Sequence, residues 1–331
     1  MNKKTDKKTA LLDVEIILYR HAAKAEAEGT NLLTLKSMCR QAIDQCVMGC
    51  KASEFYLVVS GRNNFRKTLY PNYKGNRGAK PPLYDPLSKA MKEMYADRWY
   101  QHDQLEADDL LGIISTNGKI DKPIICSIDK DMLSVPGWHY NWDKDDWPTY
   151  VSQEEADHNW LVQLLMGDST DCIEGMKGIG KVKAEKLIKK YRNPELSIPE
   201  QAKYIYEKEG FSLDQYYACL NTVTIWRKPL PEALLENDLI TEIVKETIVV
   251  WFSCGSASAV AAKKTIEKYG ETHNIRIVNN PIKEEHEDNQ RFLKDCEKWL
   301  GKTIEFATSS KYPSQSCVEV WEKRKYMAGI A

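Results

Sequence analysis

Seven carboxylates stand in four short clusters between residues 13 and 171: Asp13 in LLDVEIILYR, Glu106 and Asp108 in LEADD, Asp129 and Asp131 in SIDKDM, and Asp168 and Asp171 in GDSTD. Asp109, beside Asp108, makes an eighth. Read singly, each is an ordinary solvated acid or a helix cap. Each cluster, however, adjoins an apolar segment that reads as a strand or helix, where surface acids have no reason to gather. Acids that converge from separate elements repel one another unless cations hold them. All-oxygen donors suit two hard divalent ions, Mg²⁺ or Mn²⁺. Two such ions can clamp the attacking and leaving oxygens of a phosphodiester, so the pattern points to metal-dependent hydrolysis.

Two further motifs carry positive charge. In GMKGIGKVKAEKLIKKY, Gly178 and Gly180 flank a tight turn whose backbone N–H groups can face an anion. Lys181 and Lys183 follow at a helix start, where the dipole favours phosphate. This reads as a hairpin that grips a nucleic-acid backbone without reading its sequence. In FRKTLYPNYKGNR, the cations Arg66, Lys67, Lys74 and Arg77 interleave with Tyr70 and Tyr73, a pattern that suits a single-stranded path of phosphates and stacked bases.

The elements that must position these groups alternate. Residues 11–19 read as a first buried strand, 32–50 as a long helix and 55–60 as a second, central strand. Helices follow from about 87 to 97 and from LEADD onward, with strands at 123–129 and 138–142. Such alternation implies an α/β sheet whose ligands gather at the strand carboxyl ends. From about 160 to 191 the texture is helical, and near 240–246 a fresh strand, small-residue loop and helix begin. Three regions are expected: a catalytic α/β domain over 1–165, a helical DNA-binding region over 166–245, and a short α/β segment over 246–331.

Composition sets outer bounds. With 42% hydrophobic and 29% charged residues, the 331-residue chain reads as a soluble protein with room for two or three cores. The net charge of −1 hides a basic face, because acids at a metal site cancel it in the sum. Nine cysteines without a CxxC pair argue against structural zinc and for reduced thiols. No run approaches a membrane span, and Asp13 and Glu15 interrupt the only stretch resembling a leader. A cytoplasmic location is expected.

Asp13, YPNYKGNR, LEADD, SIDKD and GDSTD followed by GIG, in that order, resemble the 5′-nuclease superfamily over about residues 10–240. That superfamily includes flap endonucleases, the 5′-exonuclease domain of bacterial DNA polymerase I and phage 5′–3′ exonucleases, and the YPNYKGNR wording is most similar to the phage members. The resemblance implies a parallel-sheet, PIN-like core with a helical arch and a helix-hairpin-helix element. It implies hydrolysis of DNA at or near a 5′ end or flap, with Asp13, Glu106 and Asp108 on one metal. Asp129, Asp131, Asp168 and Asp171 would serve the other, with Asp109 between them. It further implies that Lys74 and Arg77 steer the scissile phosphate, that Tyr73 stacks on a terminal base, and that the Gly178–Gly180 hairpin holds duplex, often through K⁺. One departure stands out: many members carry an aspartate at the end of the second strand, where this chain has Val59-Ser60-Gly61-Arg62. Ser60 is no anionic ligand, which predicts weaker or water-mediated binding of the first metal. Asp171-Cys172 stands where the family often has Asp-Asn.

The last segment is similar to the pyrophosphate loop of adenine nucleotide α-hydrolases (PAPS-reductase-like proteins), through FSCGSAS and the later EHEDNQRFLKDCEKWLG. Ser253, Gly255, Ser256 and Ser258 would cradle an adenine nucleotide, but Cys254 and Ala257 replace a glycine and an acid of that pattern. Two rival readings follow: a structure-specific DNA-binding protein with a silent nuclease site, and a nucleotide-binding fusion.

Overall fold

The computed structural model describes residues 7–324, apart from 231, 236, 238, 241, 242, 244 and 309–312. The chain divides into two compact units, Met1–Asn237 and Asp238–Ala331. Residues 241, 242 and 244 of the expected boundary at 240–246 lie outside the described residues.

The first unit is built on a six-stranded sheet. The strands are β1 (Thr9–Asp13), β2 (Glu54–Val59), β3 (Trp99–Gln101), β4 (Pro123–Cys126), β5 (Gly137–Tyr140) and β6 (Thr149–Val151), in the order β3-β2-β1-β4-β5-β6. Pairing is parallel from β3 through β5 and antiparallel between β5 and β6. The central strand β1 is buried along its whole length. Alternation sends its side chains to two cores. Leu12, Leu57 and Ile124 meet helices α1 (Val14–Glu28), α2 (Leu32–Gly49) and α4 (Tyr84–Met94), whereas Leu11, Val58 and Ile125 meet α5 (Ala107–Thr116) and the 3₁₀ turn Lys130–Ser134.

The first apolar run differs from the expected strand over 11–19. Strand β1 ends at Asp13, and α1 starts at the next residue. The physical reason lies in spacing: Val14, Ile17, Leu18, Ala22 and Ala25 are buried on one face at helical intervals, closed by Gly29 at φ 66°. Asp13 therefore stands at the carboxyl end of the strand where the sheet order reverses, the position at which open α/β sheets bind ligands.

After β2, the expected helical arch is represented by the five-residue α3 (Phe65–Leu69) and tight turns between Tyr70 and Asn76. Beyond β6 come α6 (Gln153–Met166), a two-residue hairpin of β7 (Gly167–Asp168) and β8 (Ile173–Glu174), and helices α7 (Lys181–Tyr191), α8 (Ile198–Lys208) and α9 (Leu213–Val223). The hairpin depends on paired glycines. A Cβ on Gly175 would sit 2.2 Å from the Gly167 nitrogen, and one on Gly167 would sit 2.3 Å from that of Gly175.

The second unit is a three-stranded parallel sheet in the order Ile304–Phe306, Asn274–Asn279, Thr247–Phe252. Helices Ser256–Tyr269 and Asp288–Leu300 bury Phe252, Ile275, Ile277 and Ile304. Among the described residues no helix is long and apolar enough to cross a membrane.

Candidate active site

The acids collect at the carboxyl edge of the first sheet. Asp13 ends β1, Asp129 follows β4 as the cap of the 3₁₀ turn that carries Asp131, and Asp108 lies in the first turn of α5. Burial, then the charges of Glu15 and Asp129, push the Asp13 carboxyl up to about 7, against a hydrogen bond donated by Ser127 Oγ at 3.2 Å. Burial, then Asp13 and Asp129, raise Asp108 well above the carboxylate range. Asp131 is pushed up to about 6 by burial and Asp129, with Asp168 adding to the repulsion. Asp13, Asp108, Asp129, Asp131 and Asp168 thus act on one another electrically, although no three His, Cys, Asp or Glu side chains form a closed metal centre among the described residues. The donor set is all oxygen, and its mutual repulsion is what a divalent cation relieves. These residues fit a hard cation.

Glu106 and Asp171 form a second grouping, tied to the basic segment. Lys74 Nζ lies 2.5 Å from Glu106 Oε1 and 3.5 Å from Asp171 Oδ2, and the Lys74 backbone N–H donates to the Asp171 carbonyl at 2.9 Å. Arg77 reaches Asp171 Oδ1 at 2.7 Å. Burial by itself would raise the Glu106 carboxyl, but the Arg66 and Lys74 charges hold it down at about 2. Asp171, expected beside Asp129 and Asp131, therefore shares its cation with Glu106.

Residues 8–158 match the family model described as 5′-3′ exonuclease, N-terminal resolvase-like domain. The likeness to the 5′-nuclease superfamily is thus carried by residues 8–158. Among curated relatives, the chain is 32% identical over 176 residues to the exodeoxyribonuclease of Enterobacteria phage T3, covering 51% of this chain and 54% of that one. It is 31% identical over 148 residues to a 5′-3′ exonuclease of Buchnera aphidicola, covering 40% and 51%. The chain thus spans about half the length of the curated relatives it matches. Among solved structures, a bacteriophage T5 flap endonuclease in complex with DNA and metal ions aligns with a TM-score of 0.54 at 17% identity, over 72% of this chain and 93% of that one. That likeness shows the shared fold.

Within the matched region, three further residues stand elsewhere than expected. Arg66, expected on DNA, is 2% exposed and grips Asp109 through both terminal nitrogens at 2.6 and 2.7 Å. It also donates to the carbonyls of Thr222 at 2.6 Å and Thr224 at 2.8 Å. Asp109, expected between the metals, is fully buried and further accepts the Glu106 and Trp226 N–H groups, both at 3.2 Å. Arg66 and Asp109 satisfy each other and tie α3 and α5 to the end of α9 (Leu213–Val223) and the residues that follow it. Neither is free for a phosphate or a cation. Tyr73, expected to stack on a base, is 4% exposed, and its hydroxyl donates to Glu106 Oε2 at 2.6 Å and lies 3.3 Å from Asp171. Its ring packs with Ile173 and Cys219.

The remaining cations face solvent. Lys67 and Arg77 are exposed, as are Lys181 and Lys183 at the start of α7. Gly178 adopts φ 77°, a left-handed conformation that glycine takes without strain, and Lys183 Nζ donates to its carbonyl at 2.9 Å. Gly180 caps α7, whose first turn holds no acid. An open cavity of about 700 Å³ runs beside this turn, lined by Tyr70, Asn72, Ser169, Cys172 and residues 173–180.

Sequence reasoning missed Glu15. Ser60 Oγ donates to Glu15 Oε2 and accepts the Ala107 N–H at 3.0 Å, and Tyr84 donates to Glu15 Oε1 at 2.9 Å. The D-x-E spacing of Asp13 and Glu15 across a strand–helix junction was the available signal.

In the second unit, Ser253 N–H and Gly255 N–H donate to Ser258 Oγ at 3.2 and 3.3 Å, so the side chain expected to cradle phosphate instead occupies two loop amides. Ser256 begins the following helix. The family match ends well before this loop, at residue 158.

Proposed function

We propose that the protein is a metal-dependent 5′–3′ nuclease that hydrolyses DNA phosphodiesters at or near a 5′ end, as an exonuclease or a flap endonuclease. The observation that carries this reading is the set of mutually repelling carboxylates Asp13, Asp108, Asp129 and Asp131 at the carboxyl edge of the sheet. The family match over residues 8–158 and the named activities of the phage and bacterial relatives support it.

Asp13 and Asp108, with Asp129, would hold one Mg²⁺ or Mn²⁺, and Asp131 and Asp168 would hold or support a second. Bound there, two such ions would supply the Lewis acidity that activates water near neutral pH and offsets charge on the leaving 3′-oxygen. The chain's own residues position the substrate. Lys74 and Arg77, at the acid edge, offset charge on the phosphate under attack. Glu106, held by Lys74 and Tyr73, keeps that ammonium aimed into the site. Lys181, Lys183 and the Gly178–Gly180 turn would take the duplex backbone, with K⁺ as the ion that the resemblance implies there. Lys67 would extend the path along the single strand.

A duplex with a 5′ overhang, labelled separately at each end and incubated with Mg²⁺ and then with EDTA, tests the reading. Mg²⁺-dependent release of short products from the 5′ end is expected. Binding without cutting in either Mg²⁺ or Mn²⁺ would leave a DNA-binding relative of the nucleases instead.

A further inference from the structure

We propose that Glu15 is the carboxylate that completes the first cation site, standing in for the acid absent from the end of β2. This rests on the metal-dependent reading above.

The end of β2 cannot itself supply an anion. A Cβ on Gly61 would lie 2.0 Å from the Asp103 carbonyl oxygen and 2.1 Å from that of His102, so backbone fills the space a side chain needs. Ser60 is neutral, and its hydroxyl is spent on the Ala107 N–H and on Glu15. What reaches this end of β2 is the Glu15 carboxylate, arriving from the first turn of α1 two residues beyond Asp13.

Its setting is that of an aimed ligand. Ser60 holds one oxygen and Tyr84 the other, the latter at 2.9 Å, and among the described residues the cation paired with it is the exposed Lys80 at 3.9 Å. The side chain is 23% exposed, and its charge acts on the buried Asp13. If Glu15 served only to tie α1 to β2 and α4, an amide would make comparable hydrogen bonds without adding charge beside Asp13. A negative charge kept there is useful when a cation sits between the two acids. Hydroxyl donors on a ligating carboxylate are the usual means of fixing its direction.

The test is Mn²⁺ titration of the full-length protein by calorimetry, without DNA, alongside the Mn²⁺-induced rise in melting temperature. Glu15→Gln should weaken the tighter Mn²⁺ step by about tenfold or more, the scale seen when groups supporting a metal site are lost. The same variant carrying Ser60→Asp should regain much of that affinity, which a purely structural role for Glu15 would not allow. Ser60→Ala, which keeps the charge but removes one donor, should fall between wild type and Glu15→Gln, and it serves if Glu15→Gln folds poorly. Wild-type affinity in both Glu15→Gln and Ser60→Ala would overturn the assignment. Asp129→Asn separates the two levels. If it loses Mn²⁺ while Glu15→Gln does not, Glu15 alone is wrong. If wild type itself binds no Mn²⁺, the metal-dependent reading and the role of Glu15 fall together.

Discussion

Arg66 and Asp109 meet through two parallel hydrogen bonds of 2.6 and 2.7 Å, with both side chains out of water. Both residues carry charges of the kind that nucleases use, yet the pair lies in the core. Burial by itself would lower the affinity of Arg66 for its proton, and the Asp109 charge more than reverses that. Removing one partner leaves a buried, uncompensated charge. Arg66→Ala or Asp109→Ala should therefore lower stability by about 3–5 kcal/mol, whereas the double change Arg66→Met with Asp109→Leu should cost less than the sum. Urea unfolding checks this, and destabilisation below about 1 kcal/mol in the single variants would return both residues to the functional list.

Lys74 couples the basic segment to the acid site. Lys74→Met should slow turnover by roughly a hundredfold, the effect of losing one pre-positioned electrostatic group, while duplex affinity changes by less than about tenfold. Single-turnover rates and a binding titration in Ca²⁺ separate the two. The reverse pattern would move Lys74 out of the site.

Asp129→Ala and Asp168→Ala should each reduce cleavage by at least about a hundredfold while leaving DNA binding measurable, because neither takes part in the core. Gel-based cleavage with a parallel filter-binding assay decides the matter, and full activity in either variant would remove that residue from the metal set.

The exposed lysines at the hairpin make a different prediction. If Lys181 and Lys183 each neutralise one phosphate, alanine at either should reduce the slope of log affinity against log salt by about 1, with little dependence on DNA sequence. An unchanged slope would assign the duplex to another surface.

Stability should depend on pH in a specific sense. Asp13 and Asp131 titrate in the folded chain at about 7 and 6, above their ordinary value of 3.8, so the folded state holds protons that the unfolded chain releases. Their contribution is fully present below pH 3.8 and is lost as pH rises through 6 and 7. Glu106, held at about 2, works oppositely: its contribution is present above 4.5 and is lost as pH falls through 2. The metal-free protein should therefore melt highest in mildly acid buffer, and Mn²⁺ should raise the melting temperature most above pH 7. Melting curves from pH 4 to 8 with EDTA or Mn²⁺ test both halves. A metal-free optimum at pH 8 would contradict the burial of Asp13.

The chain's own order of residues determined the sheet and the acid set. The short apolar stretches around Leu57 and Ile125, rich in β-branched residues, read as central strands, and Leu35, Cys39, Ile43 and Cys46 recur at helical spacing along α2. Acids placed at the ends of such segments were legible as a converging set for the same reason. The tertiary structure decided which charges face solvent and which hold the core. Arg66 reads like Lys67, and Asp109 reads like Asp108, because adjacent residues on a helix differ only in the direction each points. That direction is set by where α3 and α5 pack against residues 222–226, more than 100 positions away. Strands β3 and β6, three residues each, carry too little apolar pattern to announce themselves and exist because a neighbouring strand offers an edge. Glu15 was hidden by the same limit. Its value depends on Ser60, 45 residues away, and on backbone that leaves Gly61 no room for a side chain. Local spacing encodes helices, strands and their faces, whereas the pairing of charges depends on distances that only the packed chain sets.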